Sequence, residues 1–182
     1  MATKTKATIE DLYHVPEDGK AEIVNGELVI MGPTGGLPGR AGFNIALSLR
    51  RYENQAGGRA YPDNVGFKVN LPNRESFSPD AAFYTGKPTG MKFLEGAPIF
   101  AAEVRSEGDY GPMAEEKMAE KRDDYFAAGT LVVWDVDLLA EEVVKVYRAS
   151  DPNSPTIYHR GEVAEAEPAV PGWSMPVEDL FE

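Results

Sequence analysis

Residues 99–104 read Ile-Phe-Ala-Ala-Glu-Val, an apolar run broken by one carboxylate. Such a run suits a central strand covered on both faces. A carboxylate buried in that strand is costly unless a cation or hydrogen bonds compensate it. Whatever this chain folds into must therefore bring compensation to Glu103. Downstream, the pattern predicts a helix over Met113 to Ala128, with Gly129 as its C′ glycine. A second apolar strand is expected over Leu131 to Val136, and Val143 to Tyr147 is placed to pair with it. A strand, a helix and a strand in succession call for a sheet with helices on its faces.

Upstream, residues 9–13 can form one short helical turn. Residues 21–31 read as two strands around Asn25-Gly26, a strong hairpin signal. The Gly- and Pro-rich stretch 32–39 is expected to be loop. Arg40 to Ala56 places Ile45, Leu49 and Tyr52 at helical spacing, with Gly57-Gly58 as a stop. Short strands are expected over Val65 to Val69 and over Phe77 to Tyr84. The Pro-rich stretch from Ala149 onward is expected to be extended or loop. The fold class is α/β or α+β: a central mixed sheet flanked by helices, with an N-terminal hairpin. With 182 residues the chain is expected to form one domain over 10–182, preceded by a flexible start over 1–9.

Composition narrows the chemistry. There is no Cys, which excludes disulfides, thiolate metal sites and a Cys nucleophile. Two His, His14 and His159, leave little for a histidine-rich zinc site. No Gly-rich phosphate loop is present, and Gly35-Gly36 lacks the following Lys that one requires. No apolar run follows the polar start and none approaches the roughly 20 residues of a membrane span. A cytoplasmic protein without membrane contact is expected. The net charge is -12, which excludes a tight polybasic nucleic-acid binder. The excess is uneven: beyond residue 126 stand three basic and eleven acidic residues. An anionic partner should approach the first two thirds.

Three residues carry the candidate chemistry. Asp80 follows Pro79 at the start of an apolar strand. Glu103 lies within the run described above. Lys121 is placed by helix arithmetic: at about 100° per residue it shares an arc with Ala114, Met118 and Tyr125, so it should point toward the sheet. Two carboxylates and an inward lysine suit a hard divalent cation and an activated water. Other readings stand beside these. Asp80 could cap the turn after Pro79, Glu103 could pair with Arg105, and Lys121 could reach out from the edge of the stripe. Arg105 reads equally as a phosphate contact or a structural counterion. Tyr125, Trp134 and Trp173 read as packing residues, and Glu115-Glu116 and Asp123-Asp124 as solvated helix faces.

The order of these motifs resembles the PD-(D/E)xK nuclease superfamily and, within it, the Uma-type restriction-endonuclease family. The matching stretches are Glu22-Ile-Val-Asn-Gly-Glu27, Ser78-Pro-Asp80, Glu103-Val-Arg-Ser106, Lys121 with Tyr125, Gly129 leading into Val133-Trp-Asp-Val-Asp137, and Pro171-Gly-Trp173 through Leu180-Phe181. The resemblance covers roughly residues 10–181. It implies a restriction-endonuclease-like fold and Mg²⁺-dependent hydrolysis of DNA phosphodiesters, with Mn²⁺ as a substitute. It implies that Asp80 and Glu103 ligate the metal, that Lys121 supplies the lysine displaced from the strand to the helix, and that Glu22 assists. Arg105 and Lys68 are the expected phosphate contacts, and a homodimer is expected because duplex cutting needs two sites. The chain departs from the pattern in having Arg105 at the strand-motif lysine position, and no His at the start of the helix near Arg40. A nuclease-fold binding or regulatory module without catalysis is the alternative.

Overall fold

The computed structural model describes residues 6–15 and 19–182. Residues 1–5, part of the expected flexible start, lie outside the described residues. At Thr8 a reciprocal capping box with Asp11 opens the short helix α1 (Ile9–Leu12), and the Ala7 N–H donates to Gly26 O. Strands β1 (Lys20–Val24) and β2 (Glu27–Met31) form the hairpin. Its turn needs positive φ at both central residues, and Asn25 at 53° and Gly26 at 73° supply it.

Helix α2 (Gly36–Arg50) begins earlier than expected. Pro38 falls in its first turn, where a missing N–H costs nothing because first-turn amides have no helical partner. Half of the expected loop is thus helix. The expected continuation to Ala56 is instead a separate turn, α3 (Glu53–Ala56), closed by Gly57 in the left-handed region. Then come β3 (Arg59–Pro62), β4 (Phe67–Lys68), β5 (Ser76–Phe77) and β6 (Ala81–Tyr84). The single strand expected over residues 77–84 is therefore split. Pro79 has no N–H to give a ladder, and the Ser78 N–H is taken by the Glu22 carboxylate.

Next are β7 (Leu94–Glu95), β8 (Phe100–Val104), α4 (Pro112–Ala127), β9 (Val132–Val136) and β10 (Val144–Arg148). The chain ends with β11 (Asp151–Tyr158), β12 (Val163–Glu165), β13 (Ser174–Pro176) and a 3-10 turn over Val177–Phe181. The strand β11 forms despite Pro152 and Pro155 because it is an edge strand, which tolerates lost amides.

The central sheet has six strands in the order β11-β10-β9-β8-β6-β3. The β8–β9 pair is parallel and the other pairs are antiparallel, so the sheet is mixed, with α4 bridging the parallel pair. Side chains alternate between its faces. Phe100, Ala102, Val104, Val132 and Trp134 join Ile45 and Leu49 of α2, with Trp173 and Leu180 from the C-terminal part. Trp134 and Trp173 are packing residues here, their rings 5.0 Å apart. On the other face Ala101 and Val133 meet Tyr125 of α4, together with Phe67 and Phe77. Glu103, two residues after Ala101, follows that second face and lies under α4.

Candidate active site

One cleft of about 1030 Å³ opens beside α4, and its lining includes Lys20, Asp63, Asp80, Glu103, Arg105 and Lys121. Its walls follow from local structure. Asp80 immediately precedes β6, and its backbone N–H donates to Ala102 O. Its Oδ2 accepts the Val104 N–H at 2.7 Å, which fixes the carboxylate beside β8. From the opposite side of the sheet α2 approaches closely at Gly42, where a Cβ would stand 3.3 Å from Asp80 O. A side chain at Gly42 would press on the backbone that aims Asp80.

Glu103 finds the compensation its strand demands. Its Oε1 accepts the Tyr125 O–H at 2.6 Å and lies 2.9 Å from Lys121 Nζ. Lys121 points inward, as the helix arithmetic requires, and Tyr125 one turn later does so too. Tyr125 also packs: its ring stacks on Phe77 at 4.0 Å between centroids. Glu22 is buried and does not line the cleft. It stands behind Lys121, with Oε1 2.9 Å from Nζ. That oxygen also accepts the Ser78 N–H, and Oε2 meets Arg74 at 2.6 Å. Arg74 in turn donates to Asp124. Asp124 is therefore a half-buried ion-pair partner rather than part of a freely solvated face.

The charges have clear directions. Burial opposes the Lys121 ammonium, but Glu103 and Glu22 outweigh it and hold the lysine above its ordinary range. Lys121 is a fixed positive charge. Burial pushes Glu22 up, and Lys121, Arg74 and the Ser78 N–H together bring it below the ordinary carboxyl value. Glu103 goes the other way: burial raises it, repulsion from Asp80 and Glu22 adds to that, and Lys121 and Lys20 only partly oppose it. Burial and Glu103 raise the Tyr125 phenol as well, so it stays a donor.

Arg105 is paired within the fold. Its Nε and Nη2 take both oxygens of Asp135 at 2.9 and 2.8 Å, and the guanidinium also meets the half-exposed carboxylate of Glu115. Neither oxygen of Glu103 is its partner. The side chain is buried and both edges of its guanidinium are paired, the geometry of a counterion. Lys68 is exposed, sits 3.4 Å from Glu95, and is absent from the cleft lining.

Lys20 escaped the sequence reading. Its Nζ lies 2.6 Å from Asp63 Oδ1 and 3.0 Å from Asp80 Oδ1. The signal available was strand period two, which puts Lys20 on the face of Glu22. Arg74, in the connection between β4 and β5, had no such signal.

The donor set fits a hard cation. Asp80 and Glu103 offer carboxylate oxygens in a cleft that holds no thiolate or imidazole. Among the described residues no group of three potential metal ligands gathers. Two carboxylates suffice for Mg²⁺, which keeps several waters and takes phosphate oxygens. No helix among the described residues is long and apolar enough to cross a membrane.

Known proteins bear on this arrangement. A putative nuclease of the DUF820 group from Anabaena variabilis shares the fold, with a TM-score of 0.72 at 17% sequence identity over 96% of this chain and 97% of the other. No curated protein matches. The family model for Uma2, described as "Putative restriction endonuclease", matches residues 8–178, a span holding both carboxylates, both inward lysines and the Glu22 floor beneath them. With that span the chain belongs to the Uma2 family, and the restriction-endonuclease-like fold expected from its motifs is the fold it has.

Proposed function

We propose that the cleft hydrolyses DNA phosphodiester bonds with the help of a divalent cation, Mg²⁺ or Mn²⁺, held by Asp80 and Glu103. The observation that carries this reading is the position of Lys121: one ammonium, 2.9 Å from both Glu103 and Glu22, on the cleft wall beside Asp80. A divalent cation bound there lowers the pKa of water and screens phosphate charge. The chain's own residues do the rest. Lys121 stays protonated, so it does not act as a base. It orients the attacking water and stabilises negative charge growing on the phosphoryl oxygens. Glu22, itself anchored by Arg74, holds that ammonium in place from behind. The Val104 N–H keeps Asp80 aimed, and the Tyr125 O–H keeps Glu103 aimed. With a net charge of -12, DNA binding is weak and salt-sensitive. Two copies of the site are needed to cut a duplex, so the reading includes a homodimer.

The test is Mg²⁺-dependent cleavage of plasmid DNA by protein purified free of host nucleases. Asp80→Ala and Glu103→Ala should each lower the rate by roughly a thousandfold or more. Cleavage that persists in both variants would sink the assignment.

A second reading, a nuclease-fold binding module without catalysis, has one observation in its favour. Lys20 already neutralises Asp80. Wild-type protein that neither cleaves DNA nor takes up Mn²⁺ at millimolar concentration would favour it.

A further inference from the structure

We infer that Lys20 is a resident cation of the cleft that competes with the divalent ion for Asp80 Oδ1, and so sets how tightly the metal is held. This rests on the metal-dependent reading of the same site. The two oxygens of Asp80 are engaged differently. Oδ2 accepts the Val104 N–H, a donor fixed in the backbone at the end of β8. Oδ1 faces Lys20 Nζ at 3.0 Å. A backbone amide cannot leave without disturbing the strand, whereas a lysine head can move on its flexible stem. Oδ1 is therefore the oxygen that a metal can claim.

An ammonium and a divalent ion cannot share that oxygen cheaply. Like charges a few ångströms apart repel strongly where water is scarce, because the energy varies inversely with both distance and dielectric constant. The Lys20 side chain is only 15% exposed. It has somewhere to go: Asp63 Oδ1, 2.6 Å from the same Nζ, belongs to a carboxylate 46% exposed at the cleft wall. Withdrawal toward Asp63 keeps one ion pair while it gives up Asp80. Lys121 has no comparable exit, since Glu22 behind it is buried and bound to Arg74. The site thus holds two ammonium groups with separate tasks. Lys121 is locked and Lys20 is exchangeable.

The experiment is calorimetric titration of Mn²⁺ into wild-type protein, two variants lacking the charge (Lys20→Met and Lys20→Gln) and one that keeps it (Lys20→Arg). Each is repeated with Asp80→Asn, and circular dichroism melts verify folding. The neutral variants should bind Mn²⁺ at least about tenfold more tightly than wild type. Lys20→Arg should stay as weak as wild type, and Asp80→Asn should remove the gain. Equal affinity in wild type and both neutral variants, lost with Asp80→Asn, overturns the role of Lys20 and leaves the metal site standing. No Mn²⁺ uptake in any folded variant, the neutral ones included, overturns the metal reading and the competition together. The use of two neutral substitutions guards against one that fails to fold.

Discussion

Glu22 and Glu103 share one ammonium at the same 2.9 Å, yet their carboxyls shift in opposite directions. The floor of the site has more than Lys121. Glu22 also holds Arg74 and the Ser78 N–H, and Arg74 is itself backed by Asp124. The wall has less. Glu103 has Lys121 and the Tyr125 O–H on a single oxygen, with Asp80 repelling it nearby. The floor is a closed charge network, whereas at the wall Glu103 is left under-compensated. An under-compensated carboxylate facing a cleft is where a further cation gains most.

Breaking the floor should have the largest effect. Arg74→Ala leaves the buried Glu22 and the half-buried Asp124 with one cation fewer, and should cost about 3–5 kcal/mol in denaturant unfolding. A loss under about 1 kcal/mol would mean that Arg74 is not what satisfies Glu22.

The next effect separates floor from wall by pH. Because the folded protein lowers the Glu22 pKa, its stabilisation is complete above the ordinary carboxyl value of 4.5 and fades as pH falls through the folded value. Glu22→Gln should therefore lower the melting temperature at neutral pH, and the gap to wild type should close in acid. Glu103 is raised, so its ionisation opposes folding once pH climbs from 4.5 through the folded value. Glu103→Gln should melt at or above the wild-type temperature at neutral pH. If both substitutions lower it equally, the distinction between floor and wall fails.

The smallest effect belongs to Tyr125→Phe. It removes the O–H donated to Glu103 and keeps the ring stacked on Phe77, so stability should fall by about 1–2 kcal/mol. The Mn²⁺ affinity of the variant, measured by the same titration, should change less than under Lys20→Met.

Much of this architecture is legible in the sequence. Residues 99–104 and 131–136 are apolar enough to be central strands, and Asn25-Gly26 could scarcely be other than a tight turn. Lys121 was directed inward by helix period alone, because three to four residues per turn fix which side chains share a stripe. The errors share a cause. Pro38 reads as loop yet sits in a first helical turn, and Pro79 reads as strand interior yet interrupts one. Proline reports a missing amide and a fixed φ, and only the neighbouring chain decides whether either matters.

The sequence alone determined which residues carry charge in apolar surroundings: Glu103 in its strand and Lys121 on its stripe. It also determined that the cations available to them were few, in a chain with 18 basic and 30 acidic side chains. Only the tertiary structure decided which charge meets which. Arg105, two residues from Glu103, turned to Asp135, and Glu103 took its cation from α4. Asp80 met Lys20 from sixty residues upstream, and Glu22 met Arg74 from fifty-two downstream. Strand and helix periods act over a few residues and fix faces. Ion pairing depends on atomic distances between segments far apart in the chain, which are set when the hairpin, the β4–β5 connection and α4 pack on one side of the sheet.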